Sequence, residues 1–312
     1  MDKAVVTFAI GKAYQEYALT LAYSFLLFNG KNDIHFYIIT DETILIPQKL
    51  SEKIHFVKLN SLLKNKEVLL NKIFVLDYIE AEKILLVDAD SFVFGDLLPL
   101  FYKYRNNDIL IWGEKISNKD GWRGNLQHIL ESNSLDFIYR INGGLYYFKK
   151  SVLSNLFFNV CKDLINDYDN LGLPTVYNDL KDDEIIFSLA CSKMNIEIIN
   201  YDSRIKAETM YYARRSINLF IGKCKLYYNN YERTTSNQLL QRKAFPVIVC
   251  FDRSSVGDFD YKLNSIFLRQ YINRNLLIKI TIILITSTLL NTYYIVKNFR
   301  KSISNIKHTY LF

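Results

Sequence analysis

Glycine and proline are scarce, 11 and 4 residues in a chain of 312. With no low-complexity segment and no evident internal repeat, that excludes collagen-like, linker-rich and solenoid chains. Cysteine is sparse too. Cys161, Cys191, Cys224 and Cys250 form neither a Cys-x-x-Cys pair nor a zinc spacing. In a chain of this size they read as free thiols of a reducing compartment rather than a disulfide framework. No signal peptide is expected, because the apolar stretch 4–10 is too short for an h-region and runs into Gly11-Lys12 instead of a cleavage site. A dense basic stripe is also missing. The net charge is +7, with lysine and arginine scattered along the chain, so nucleic acid is a poor partner for it. A basic surface does suit an anionic ligand or an anionic membrane face.

What the chain has is apolar bulk: 50% hydrophobic residues and 15% aromatic ones, enough for a sizeable core. Strand patterns at 5–10, 34–40, 55–59, 84–87 and 109–112 alternate with helical patterns at 14–28 and 72–82. Such alternation predicts an α/β fold with an open, mostly parallel central sheet flanked by helices. Further on, an apolar run after Gly143-Gly144 reads as a strand, 152–168 and 183–194 as helices, and 246–251 as a late strand. Ile84-Leu85-Leu86-Val87 is apolar on both faces, as a central covered strand requires. It ends in Asp88-Ala89-Asp90. Ligands of parallel sheets collect outside the carboxyl ends of strands. Two carboxylates one residue apart share a side of the pleat there, and hard oxygen donors suit a divalent cation that carries a diphosphate. A polar strand end facing water is the competing reading of Asp-x-Asp taken alone.

The C-terminal part changes character. Residues 276–296 are mostly apolar, with Lys279 the only charge, and basic residues flank them on both sides. Their length could span a bilayer, lie in its plane, or serve as a buried terminal helix. The expected division is therefore a catalytic domain at 1–270 and a hydrophobic, basic segment at 271–312 that associates with a membrane.

Taken in order, these motifs resemble the retaining glycosyltransferase family that includes glycogenin and the bacterial lipopolysaccharide galactosyltransferases. The resemblance covers roughly residues 4–255. It implies the GT-A fold, a UDP-sugar donor and Mn²⁺ or Mg²⁺. By that match Phe8, Ile10 and Gly11 line the base and ribose, and Tyr14 stacks on the uracil. Lys72, sixteen residues before Asp88, neutralises the diphosphate or reaches the donor sugar. Asp88 and Asp90 hold the metal, and Ala89 offers its backbone to the ribose. Asn142-Gly143-Gly144 lies along the donor sugar, and Asp183 hydrogen-bonds its hydroxyls. Two positions depart from the pattern. Cys250 stands where the family supplies a metal-binding histidine; sulfur is soft and Mn²⁺ prefers oxygen and nitrogen, so Asp252 is the expected replacement. Glu184 replaces a glutamine near the anomeric carbon, where a carboxylate could stabilise an oxocarbenium ion or attack it.

The function implied is transfer of a hexose, with retention, to a glycan or lipid-linked glycan. The expected place is the cytoplasmic face of a membrane, in the assembly of cell-surface polysaccharide or lipopolysaccharide. Two alternatives stand beside it. One is a degenerate nucleotide-sugar-binding protein without turnover. The other is a haloacid-type phosphatase, whose Asp-x-Asp also follows a strand and whose later lysine and acid Lys181-Asp182-Asp183 could imitate.

Overall fold

The computed structural model describes residues 2–42, 52–60, 63–117, 122, 124–228, 243–252, 255–272 and 274–309. The chain divides into two compact units. The first comprises Met1–Ala22, Asn29–Ser91 and Asp96–Asp202, the second Tyr23–Phe28, Phe92–Gly95 and Ser203–Phe312.

The first unit is built on a six-stranded sheet. Strands β1 (Lys3–Ala9), β2 (Ile34–Thr40), β3 (Ile54–Lys58) and β4 (Lys83–Val87) run parallel. Helix α1 (Lys12–Asn29) makes the crossover from β1 to β2. Short elements flank β4: α2 (Val75–Tyr78) precedes it, and β5 (Ser91–Val93) and α3 (Leu98–Lys103) come after it. Strand β6 (Ile109–Ile116), helix α4 (Leu126–Ser132) and strand β7 (Ile138–Lys149) complete the sheet in the order β3-β2-β1-β4-β7-β6. Only β7 runs against its neighbours, pairing antiparallel with both β4 and β6.

The apolar run of β4 is buried on both faces, as its sequence predicts for a central strand. Helix α5 (Val152–Asn166) starts at Ser151, whose hydroxyl caps the Ser154 N–H. The two-residue strands β8 (Thr175–Val176) and β9 (Leu180–Lys181) precede helix α6 (Asp183–Lys193). Tyr146 and Phe148 of β7, Phe157 and Phe158 of α5, and Phe187 of α6 form an aromatic cluster, with Phe148 and Phe158 centred 4.8 Å apart edge-to-face. Such pairs contribute about 0.5–1.5 kcal/mol each beyond the area they bury, and here they fix α6 against β7.

Two predicted elements differ in form. Residues 72–82 do not make an α-helix. Asn65–Phe74 is a 3₁₀ helix, followed by the single α-turn of α2. The Asn71 amide explains it: its Nδ2 donates to the Leu63 and Val68 carbonyls at 2.8 and 2.9 Å, and its Oδ1 accepts from the Leu63 N–H. A side chain bound to backbone in this way competes with α-helical pairing. The glycines at 143 and 144 are not a turn before a strand. They lie within β7, which is 12 residues long.

The second unit contains β10 (Lys206–Glu208), then β11 (Tyr212–Asn218), β12 (Lys223–Tyr228) and β13 (Lys243–Ala244) as an antiparallel sheet. Strand β14 (Ile248–Cys250) pairs parallel with β10. Helices α7 (Phe259–Ile272) and α8 (Leu276–Thr309) close the chain. Buried Arg215 of β11 reaches Asp260 of α7 at 2.7 Å, and Asp258 as well. Burial disfavours the guanidinium charge, but these carboxylates outweigh that and hold it protonated.

Candidate functional site

The carboxyl end of β4 carries the predicted pair. Asp88 leaves the strand with its N–H bonded to the Gly144 carbonyl of β7 at 3.1 Å. Gly144 has a φ of +83°, a conformation natural to glycine and strained for other residues. Ala89 is buried, while Asp88 and Asp90 are half-buried. One ligand oxygen of each carboxylate lies within 4.8 Å of the other. The donor set is hard oxygen at a partly open strand end, which fits a Mn²⁺ or Mg²⁺ ion that keeps other oxygen ligands.

Lys72, on the 3₁₀ helix, brings the predicted residues together. Its Nζ lies 2.8 Å from Asp88 Oδ1 and 3.0 Å from Asp183 Oδ2, joining positions 111 residues apart. Burial disfavours the ammonium, but Asp183 and Asp88 outweigh it and hold the group charged well above the ordinary lysine range. Lys72 is thus a fixed cation and not a base. Burial works the other way on Asp183, raising its carboxyl above the usual value while Lys72 pulls it down. Tyr146 also points its hydroxyl at Asp183 Oδ2, at 3.5 Å.

Asp183 and Glu184 form the first turn of α6, as predicted. Asp182 is the N-cap, its carboxylate accepting the Glu184 N–H at 3.1 Å. Acids in a first helical turn gain from the dipole, so the local sequence alone stabilises this arrangement. Glu184 then reaches across to β7, where its Oε1 accepts the Gly143 N–H at 2.8 Å. A Cβ on Gly143 would sit 2.2 Å from that oxygen, so only glycine leaves room for the carboxylate. Gly143→Ala is expected to push Glu184 aside and leave a buried N–H unpaired, costing about 1–3 kcal/mol. Glu184→Gln keeps an acceptor oxygen and should cost far less. Thermal denaturation of the two variants checks the difference, and equal losses would contradict the seat described here.

Phe8 and Ile10 are half-buried at the end of β1 and pack on the core. Gly11 takes a φ of +82° with open space where a Cβ would be. Its N–H donates to the Asp41 carboxylate at 3.1 Å, and Gln15 Nε2 reaches the same carboxylate and the Thr40 hydroxyl. Tyr14, half-buried, meets Tyr17 edge-on at 5.8 Å between centroids. Asn142 lies in β7, but its side chain is outside the described residues. Asp252 and Cys250 belong to the second unit. There Cys250 ends β14, buried, and Asp252 accepts the Thr209 hydroxyl at 3.5 Å.

Lys181, the lysine a phosphatase reading needs, pairs with Glu67 and Asp169 at 3.0 and 2.9 Å. The carboxylate of Asp88 is matched by Lys72 instead. Three residues were not anticipated from sequence: Tyr146, Asp41 and Gln15. The signal for Tyr146 was a tyrosine two residues past a glycine pair, which its neighbour Tyr147 nearly shares. The other two carried no signal, because a polar residue at a strand end or in a first helical turn is ordinary.

No family model matches the sequence, and neither does any curated protein. Solved structures match by fold. The galactosyltransferase LgtC in complex with donor and acceptor sugar analogues overlays with a TM-score of 0.54 at 13% identity, covering 88% of this chain and 98% of that one. An LgtC active-site mutant with glutamine replaced by glutamate gives 0.53 at 13% identity, over 87% and 97%. The architecture is the GT-A fold of these glycosyltransferases: a mostly parallel central sheet with helices around it and an apolar C-terminal helix.

Proposed function

We propose that the chain is a retaining glycosyltransferase that moves a hexose from a UDP-sugar to an acceptor hydroxyl. The observation that carries this reading is the cluster of Lys72, Asp88 and Asp183 at the carboxyl end of β4 in a GT-A fold. The narrower kinship, to the glycogenin and lipopolysaccharide galactosyltransferase family, rests on the motifs at 6–14, 72, 88–90, 142–144 and 183–184. LgtC has been solved with donor and acceptor sugar analogues, which supports a sugar-transfer chemistry for the shared fold.

A Mn²⁺ or Mg²⁺ ion held by Asp88 and Asp90 would supply Lewis-acid stabilisation of the departing diphosphate. The chain's own residues do the remaining work. Lys72 adds a fixed positive charge beside Asp88, where negative charge grows on the leaving group. Gly11, Phe8, Ile10 and Tyr14 form the nucleoside end, with the Gly11 turn locked by Asp41. Asp183 orients sugar hydroxyls for attack by the acceptor. Glu184, pinned by Gly143, presents a carboxylate toward the reacting carbon, where positive charge develops in the transition state. LgtC tolerates a glutamate in place of an active-site glutamine well enough to be crystallised, so that exchange is compatible with the fold.

The chain is read as a transferase over 1–270 with a membrane-associating segment at 271–312. It acts at the cytoplasmic face of the membrane on a glycan or lipid-linked glycan of a cell-surface polymer. Titration of the purified protein with UDP in the presence of Mn²⁺, followed by a screen of UDP-sugars for hydrolysis and transfer, tests the core of this. Metal-dependent UDP binding and turnover of one donor are expected. Binding without turnover of any donor would favour the degenerate reading, and neither binding nor turnover would sink the proposal.

A further inference from the structure

Helix α8 presents two faces that answer to different surroundings. Ile282, Thr286, Leu290 and Tyr294 recur every fourth residue and are buried, so one face packs within the second unit. Polar contacts fix that face. Asn218 donates to the Ser287 hydroxyl at 2.9 Å, and Tyr294 accepts the Ile217 N–H at 2.9 Å and donates to Asp260, also at 2.9 Å. The rest of the helix surface carries Leu277, Leu284, Ile285, Leu289, Ile295 and Val296, all exposed. From 277 to 296 the stripe runs about 30 Å along the helix. Exposed Thr281, Thr288, Asn291 and Thr292 interrupt it, but nine exposed large apolar residues between 276 and 296 mark an interaction surface rather than the scattered apolar residues any surface has. Residues Leu276–Asn298 are also long and apolar enough to cross a membrane.

The charge distribution says what covers this face. All 32 acidic residues lie at or before Asp260, whereas 8 of the 39 lysines and arginines lie after it. The last 52 residues therefore carry +8, and the first 260 carry −1, so the chain's whole excess of positive charge sits on and around α8. An apolar face flanked by Arg269, Arg274, Lys297, Arg300, Lys301 and Lys307 matches a surface that is apolar inside and anionic at its rim. The exposed Thr281 hydroxyl donates to the Leu277 carbonyl at 3.0 Å, so it needs no external partner in an apolar setting.

We propose that α8 lies in the plane of an anionic lipid leaflet, immersing its exposed face, and does not cross the bilayer. A crossing helix would have to surrender the Tyr294 and Ser287 contacts or pull the second unit into the hydrocarbon. In-plane docking keeps both, and it leaves the two basic flanks on the same side of the membrane. This deepens the membrane part of the proposed function and rests on that reading only for the lipid-linked acceptor.

The test uses the purified full chain with vesicles of phosphatidylcholine alone and of phosphatidylcholine with phosphatidylglycerol. Sedimentation with the anionic vesicles is expected, and at least tenfold weaker binding for Leu277→Glu/Leu284→Glu, whose sites are exposed and leave the fold intact. UDP binding should be unchanged in that variant, which separates failure here from failure of the transferase reading. Topology is read in sealed inverted membrane vesicles from expressing cells with Ser304→Cys and a membrane-impermeant maleimide, since the native cysteines are buried. Labelling in inverted vesicles is expected. Labelling only in right-side-out vesicles would mean α8 spans and would overturn the proposal. So would a soluble wild type without vesicle affinity, or a dimer that the double variant dissociates.

Discussion

Asp90→Ala is expected to lower the proposed glycosyl transfer by about three orders of magnitude, equal to about 4 kcal/mol of transition-state stabilisation. The argument is local. Asp90 sits just past β4, half-buried, with a carboxylate oxygen close to one of Asp88. Removing it halves the charge that this strand end offers a divalent ion, while Lys72 remains bound to Asp88. The protein should still fold, because Lys72 keeps its pairs with Asp88 and Asp183. Two measurements taken together decide the matter: Mn²⁺ binding by isothermal titration and transfer under saturating metal. Loss of both with an unchanged thermal midpoint is the expected result. Unimpaired transfer would remove Asp-x-Asp from the mechanism altogether.

Lys72→Met should have opposite effects on metal binding and on catalysis. In the metal-free protein the Lys72 ammonium already lies on Asp88, where a cation would have to bind. Taking it away leaves Asp88 and Asp183 with no positive partner from residue 72. Breaking a buried ion pair from one side costs about 3–5 kcal/mol. The partial exposure of Asp88, 31% at its side chain, brings the expected loss below that range. Mn²⁺ should then bind about tenfold more tightly, a gain of about 1.4 kcal/mol, and restore part of the lost stability. The proposed transfer should nevertheless fall about 100- to 1000-fold, since a fixed cation beside the proposed diphosphate leaving group is gone. Unchanged Mn²⁺ affinity would show that Lys72 does not compete for Asp88.

Much of the first unit was legible because its signals are local. The apolar run of β4, the 3.6-residue pattern of α1 and the match of β2 to 34–40 each follow from short-range pattern. The candidate residues were legible one by one, from their neighbours in the chain. Their joining was not. Nothing near Lys72 announces Asp183, and the Glu184 seat on Gly143 depends on two elements meeting across the sheet. Strands β11 and β12 escaped because Arg214, Arg215, Lys223 and Lys225 interrupt their apolar residues. The structure absorbs one of these charges by burying Arg215 against Asp260. The 3₁₀ segment escaped for a related reason: a single asparagine rewired its backbone through residues eight positions away.

Strand β7 has a bearing on how such a chain can change. It is the antiparallel member beside β4, and Leu145 stands opposite Val87. The carbonyl that anchors Asp88 and the N–H that anchors Glu184 belong to adjacent residues, Gly144 and Gly143. A one-residue insertion or deletion upstream of them within 138–149 would turn each backbone anchor toward the other edge of the strand, and would carry a Cβ into the place where Gly143 leaves room for Glu184. Point substitutions remain open along this strand outside Gly143 and Gly144, and changes of length do not. Any diversification of the candidate site, natural or in a laboratory library, is therefore confined to side-chain replacement here, and length variation has to be accepted elsewhere in the chain.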